Sequence, residues 1–454
     1  MTDWTPTLAP GGRARYQQIA DAIEADLHGG RLKPGDRLPP QRKLAERLGI
    51  DFTTVSRAYA EAHARELIES HVGRGTFIRA RTVAPQADDR QRSPDLSMNM
   101  PPDVTDPDLL ARMREGLAAV SSALVPLLRY QATTGSDQDK ATATRWLARR
   151  GFDVASERLA ITPGAHAAMV AILSVIARPG DRLLCERETY PGLRAIAAQL
   201  GLVLVGIEMD AAGIIPAQLE AAIREHAPAA LYLNPTLHNP TTLTMPEARR
   251  REIAAILAAT NLPLIEDDAY GFVPKAPPPP LALLAPAQGW HIAGLSKSIG
   301  AGLRLAYVVA PDARAAVALA RALRTSVVMP SPICIALATA WIESGTADRI
   351  LDFVRRESAA RQKIAASVLG GAAFSAQPEA YNIWLSLPEG ASRAELMGRM
   401  AGRHIGMMPA DAFTVDGAPA ECIRICLGGP ISREDLRAGL MFLGNSLSGG
   451  GWMG

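Results

Sequence analysis

The chain has 454 residues, 48% of them hydrophobic and 5% aromatic, with a formal net charge of +2. It is long for one domain and ample for two or three, each with a large core. A charge this close to neutral identifies no partner, so any contact with nucleic acid has to come from a local cluster of basic residues.

The N-terminal stretch MTDWTPTLAPGGRARY has no apolar signal-peptide core, and the longest apolar run, AAMVAILSVIA, is too short to span a bilayer as a helix. Cys185, Cys334, Cys422 and Cys426 form no CxxC pair. No histidine stands at ligand spacing from the last two, so no metal site is expected. So few cysteines suit a reducing compartment. The expectation is a soluble cytoplasmic protein without a membrane partner.

Residues 13–80 alternate short helices with turn signals. Tyr16, Ile19, Ala20, Ile23 and Leu27 fall on one helical stripe. Pro39 and Pro40 separate two elements, and Leu44, Ala45 and Leu48 face inward on a short helix closed by Gly49. Asp51 caps the next helix, whose buried stripe is Val55, Ala58, Tyr59 and Ala62. Thr53, Thr54 and Arg57 are left on its outer face near the N-terminal end. LIESHVGRGTFIRA then reads as two short strands around a Gly-Arg-Gly turn with Arg74 at the tip. Arg42 and Lys43 add charge, but residues 1–80 hold twelve basic and ten acidic residues, so charge alone decides nothing.

Residues 81–96, RTVAPQADDRQRSPDL, are polar and charged with little apolar content, and read as a linker. From residue 97 to 446, apolar runs such as RLLCE, LVLVGIEM, AALYLNP, LPLIEDD and RLAYVVAP alternate with amphipathic stretches. That alternation predicts an α/β domain built on a largely parallel sheet covered on both faces. The tail SLSGGGWMG reads as disordered.

Within this second region HIAGLSKSIGAGLRLAYVVAP places Lys297 at the end of an apolar strand. Desolvation disfavours an ammonium there and leaves an amine able to attack an aldehyde. Other residues supply what a phosphorylated pyridine aldehyde needs. LAITPGAHAAMVAIL is a strand, turn and helix that points the amides of Gly164, Ala165 and His166 at a phosphate, with Ser296 and Arg304 beside it. LPLIEDDAYGF puts Asp267 at a strand end for a ring nitrogen, with Asp268 as the alternative and Tyr270 three residues on. YLNPTLHNPTT places Asn239 in a loop, and ERETYPG offers the Tyr190 ring for stacking. Gly192 leaves no side chain there to read a second ligand group. His238, His291 and His404 read as structural.

Two resemblances follow from these motifs. GRLKPGDRLPPQRKLAERLGIDFTTVSRAYAEA followed by GRGTFI resembles the winged helix-turn-helix DNA-binding domain of GntR-type bacterial regulators over residues 13–79. Phe52, placed in the turn before the recognition helix, and Glu66 depart from the usual pattern. NPTLHNPTT, DDAYGF and SKSIGAGLR resemble the fold type I aminotransferases over residues 97–445. That resemblance implies pyridoxal 5'-phosphate as cofactor and a smaller α+β C-terminal part. It makes Lys297 the Schiff-base lysine and pairs Asp267 with the pyridine nitrogen. It sets Asn239 and Tyr270 at the phenolic oxygen, and Arg424 as the clamp of a substrate carboxylate. Tyr130 looks like the tyrosine that crosses a homodimer interface to the neighbour's phosphate. Gly294 and His166 depart from the family's usual serine and polar residue.

The combination resembles the MocR subgroup of bacterial regulators. It implies transcriptional control of a double-stranded DNA operator, gated by the cofactor and a small amino compound or carboxylate effector. An active aminotransferase that carries a DNA reader, and a scaffold that has lost its cofactor, remain open at this point.

Overall fold

The computed structural model describes residues 4–8, 14–33, 35–65, 67–71, 75–79, 98–403 and 405–448. The chain divides into two units, Met1–Ser93 and Pro94–Gly454. Arg74, Glu66, His404 and the linker at 81–96 lie outside the described residues.

The first unit is a winged helix-turn-helix. Its helices are α1 (Arg15–His28), α2 (Gln41–Leu48) and α3 (Phe52–Ala64), followed by the antiparallel strands β1 (Ile68–His71) and β2 (Gly75–Ile78). Ile19, Ile23, Leu44, Val55, Tyr59 and Ile78 are among the residues that close one core. Gly49 takes the left-handed conformation (φ 65°) that ends α2, a position where a side chain would be strained. Asp51 caps α3 by accepting from Thr53 N at 2.7 Å. The Tyr59 hydroxyl donates to Pro39 O at 2.8 Å and ties α3 to the entry of α2. Phe52 is the first residue of α3 rather than part of the turn, because the cap falls at Asp51.

The second unit opens with α4 (Pro107–Ser122), α5 (Leu124–Leu127) and α6 (Asp137–Leu147). Then come β3 (Leu159–Thr162), α7 (Ala165–Ile176), β4 (Arg182–Glu186) and β5 (Val203–Ile207). A small ladder, β6 (Met209–Asp210) with β7 (Gly213–Ile214), precedes β8 (Ala230–Leu233), β9 (Leu264–Asp267), β10 (Gly289–Gly294) and β11 (Ala306–Val309). Seven of these strands form one sheet in the order β3-β11-β10-β9-β8-β4-β5. Along β8, β9 and β10 every residue is buried, as a sheet covered on both faces requires.

Pairing is parallel from β10 to β5, while β11 runs antiparallel to both of its neighbours. The short connection 295–305 is the reason: a parallel return needs a crossover of about a dozen residues or more. Lys297 lies in that connection, three residues past the end of β10, and so does not close the strand itself. Leu295 O accepts from Ser298 N, Ile299 N and Gly300 N, which turns the chain.

A four-stranded antiparallel sheet follows, of β12 (Phe374–Ser375), β13 (Asn382–Ser386), β14 (Met407–Pro409) and β15 (Cys422–Cys426) in the order β12-β13-β15-β14. It shares a core with the helices Thr346–Val368 and Arg433–Ser448. That last helix includes Ser446, Leu447 and Ser448, so the start of the tail is ordered. Leu447 packs on this core, and residues 449–454 lie outside the described residues. Among the described residues no helix is long and apolar enough to cross a membrane.

Candidate functional site

In the first unit Arg42 and Lys43 are exposed on α2, and Thr53 and Arg57 are exposed on α3, while Thr54 is half-buried. The Arg57 guanidinium lies 4.1 Å from the centre of the Tyr16 ring, and that of Arg42 lies 5.8 Å from the Phe52 ring. The hydroxyl of Thr53 donates to the Asp51 carboxylate that already caps the helix.

In the second unit a cavity of about 240 Å³ is lined by Ala165, His166, Tyr190, Asn239, Asp267, Tyr270, Ser296, Lys297, Arg304 and Arg424. It lies at the carboxyl ends of the parallel strands, where open α/β sheets place ligands. Gly164 stands just behind it, at φ 92°, as the residue before α7. A Cβ there would come within 3.2 Å of the Arg304 guanidinium, so the glycine permits that close approach. The first-turn amides of α7 have no partner within the helix, which suits an anion. Tyr130 is 83% exposed and is not among the residues lining the cavity.

The charges are tuned by burial. The Lys297 amine is pushed down to about 8, first by burial and then by the positive charge of Arg424. It donates to the backbone carbonyl of Asn99. Asp267 is pushed up to about 6 by burial, against the hydrogen bond from Tyr232, whose hydroxyl donates to Oδ2 at 2.9 Å. Asp267 Oδ1 is buried and has no hydrogen-bond partner among the described residues, so it awaits a donor such as a protonated ring nitrogen.

Asp268 is engaged elsewhere. Burial would raise it, but the Arg150 guanidinium, 3.0 Å away, leads a set of cations that hold it below the ordinary range. Of the two adjacent carboxylates, Asp267 is therefore the one available to the cavity. His291 is buried 3.2 Å from Glu266, and His238 is buried against Thr241.

His166 Nε2 and the Tyr190 hydroxyl lie 2.8 Å apart. A Cβ on Gly192 would fall 2.4 Å from both His166 Nε2 and Tyr190 Cε1. The missing side chain at 192 thus makes room for this pair. Arg424, buried on β15, donates to Asn239 Oδ1 at 3.0 Å.

Four contributors were not singled out from sequence. Asn99 Nδ2 lies 3.0 Å from both the Tyr270 hydroxyl and Asn382 Oδ1. Asn234 Nδ2 donates to Asp267 O, and its Oδ1 accepts from Asn239 N. Tyr232 holds Asp267, and the Tyr381 hydroxyl donates to Lys297 O at 3.3 Å. Asn234 has a faint signal, a polar residue ending the apolar run YLNP. Asn99 has none beyond its place before Pro101 and Pro102.

The amine, the unpaired buried carboxylate oxygen, the aromatic wall and the helix N-terminus beside a guanidinium fit pyridoxal 5'-phosphate.

The family model described as aminotransferase class I and II matches residues 95–441, and that of the bacterial regulatory proteins, gntR family, matches residues 15–78. The HTH-type transcriptional regulator YdeF of Bacillus subtilis is 30% identical over 97% of this chain and 96% of its own length. The vitamin B6 salvage pathway transcriptional repressor PtsJ of Salmonella typhimurium is 29% identical over 90% of this chain and 93% of its own. The α-aminoadipate aminotransferase LysN of Thermus thermophilus shares the fold, with a TM-score of 0.71 at 23% identity over 78% of this chain and 92% of that one. A DNA-reading unit and an aminotransferase unit matched in one chain, in the order found in a regulator aligned almost end to end, mean that the chain belongs to the MocR-type HTH transcriptional regulators.

Proposed function

We propose that this regulator is gated by pyridoxal 5'-phosphate together with a small amino compound or carboxylate effector. It acts as a homodimer on a double-stranded operator in the cytoplasm. One observation carries the reading: a lysine amine held down to about 8 shares a cavity with a buried carboxylate oxygen that has no partner among the described residues. The name of PtsJ, a regulator of vitamin B6 salvage, supports a cofactor of this chemistry.

When bound, the cofactor supplies an aldehyde that captures amines reversibly and a ring that withdraws electrons. The chain supplies the rest. Lys297 offers an amine that sheds its proton more readily than a surface lysine. Asp267 holds the proton on the ring nitrogen through Oδ1, while Tyr232 fixes Oδ2. Asn239 and Tyr270, both on the cavity wall, would hold the phenolic oxygen. The amides of Ala165 and His166 would hold the phosphate together with Ser296 and Arg304, whereas the Gly164 amide, expected to join them, is already given to Thr162 O at 2.8 Å. Tyr190 covers the ring face. Arg424 takes the effector's carboxylate with its planar fork. Because Arg424 already donates to Asn239, an arriving carboxylate competes for that arm. An effector that favours one arrangement of these contacts shifts the populations of the protein's states.

On the DNA side, the exposed Arg42, Lys43, Thr53 and Arg57 serve phosphates and base edges, as does Arg74. The homodimer is supported by a run of exposed apolar residues, Leu117, Leu124, Val125, Leu128 and Tyr130, on and after α4. Tyr130 reaches the neighbour's phosphate.

The test is the visible absorption spectrum of the purified chain before and after borohydride, with the labelled peptide mapped. A reducible chromophore fixed on Lys297, lost in Lys297→Ala together with the response of DNA binding to amino compounds, is expected. A colourless protein after added cofactor would remove the reading. Repeated turnover of an amino donor with a 2-oxo acid would turn it into an enzyme.

A further inference from the structure

We propose that Phe52 reads a base: its ring recognises the C5 methyl of a thymine in the major groove of each operator half-site. The inference rests on the DNA-binding reading of the first unit.

A helix-turn-helix meets base edges with the N-terminal residues of its second helix. In this chain that turn begins at Phe52, the first residue of α3. The core takes Val55, Ala58, Tyr59 and Ala62 from the helix and leaves Phe52 outside it, 43% exposed. A phenyl ring at the head of a recognition helix is costly to leave even partly in water, and Phe52 takes no part in the core.

Thr53, the exposed polar residue on the same turn, is already engaged. The Thr53 hydroxyl spends its proton on the Asp51 carboxylate, which also accepts the Thr53 amide. The Thr53 hydroxyl proton is therefore not free to donate to a base. The carboxylate beside it repels the O6 and N7 acceptors that mark guanine. Arg57 lies over the Tyr16 ring of α1. The exposed ring at the head of α3 is apolar, and the apolar feature the major groove displays is the thymine methyl. The Arg42 guanidinium, 5.8 Å from the centre of the Phe52 ring, sets a positive charge next to that edge. A phosphate drawn to Arg42 brings the neighbouring base edge to the ring. An arginine at position 52 would read guanine instead.

The experiment uses the full-length, cofactor-loaded protein and a pool of randomised duplexes. Wild type, Phe52→Ala and Phe52→Arg are each taken through selection, after thermal melts verify that the exposed substitutions leave the fold intact. Wild type is expected to select a thymine in each half-site. Replacing that thymine by uracil, which deletes the methyl alone, should weaken binding about fourfold per half-site. Phe52→Ala should lose both the thymine and the uracil effect, and Phe52→Arg should move the position toward guanine. Selective binding by wild type with the same base pattern and no uracil effect in all three proteins overturns the inference. Absence of any selective binding by wild type overturns the DNA-binding reading beneath it, and the two failures are told apart by the wild-type selection.

Discussion

Lys297 and Asp267 owe their chemistry to where they are buried. Asp267 is raised to about 6, so it is ionised at neutral pH and becomes neutral as pH falls through that value. A neutral carboxyl no longer pairs with a protonated ring nitrogen. Cofactor affinity should therefore drop between pH 7 and pH 5, as read by absorbance titration; a flat profile would argue against this partner. Tyr232→Phe removes the donor that holds Asp267 down, so the same fall should move to higher pH. The abandoned buried oxygen should also cost about 1–3 kcal/mol of stability. The Lys297 limb has the opposite sense: capture of the cofactor should speed up as pH rises toward about 8 and the amine loses its proton.

Elements bring these residues together by ending at the same edge of one sheet. The stretch around Asn99 meets that edge through the Lys297 amine and is pinned just past β15 of the four-stranded sheet, where Gly429 bridges to Pro102 and a Cβ on Gly428 would fall 1.7 Å from Met100 O. Gly428→Ala should push this stretch away, destabilise the second unit by about 1–3 kcal/mol in thermal or urea unfolding, and loosen the hold of the Asn99 carbonyl on Lys297. An unchanged melting temperature would show that the stretch yields without cost. Much at this scale is legible in the sequence. The cap at Asp51, the glycine end of α2 and the apolar strands are local signals, carried by neighbours in the chain. Asp267 and Lys297 were legible as chemistry out of place, and Arg424 came only from the family resemblance. Asn99, Tyr232 and Tyr381 were not, because their partners stand 35 to 283 residues away and nothing local marks them. The choice between Asp267 and Asp268 also waited on the fold, since it depends on the distant Arg150.

At the level of the whole molecule, the exposed apolar residues from Leu117 to Tyr130 form a surface that invites a partner. Val125 and Leu128 are both more than 60% exposed, so charging them tests assembly with little risk to the core. Val125→Glu with Leu128→Glu should yield monomers in sedimentation velocity and weaken cofactor binding by removing the neighbour's Tyr130. A variant that stays dimeric with full affinity would move the interface elsewhere. The sequence announced two folded parts through composition and ordered motifs. The order of the strands and the reversal of β11 came from the fold, because strand pairing is written across the chain rather than along it.

The glycine at 192 carries a historical consequence. A larger residue there meets the ring ends of His166 and Tyr190, which have to shift to admit it, so the three positions are coupled. Among close relatives, a side chain at 192 should occur where the ring at 166 or 190 has already been given up, and the cavity's ligand preference should change in those lineages by paired rather than single steps.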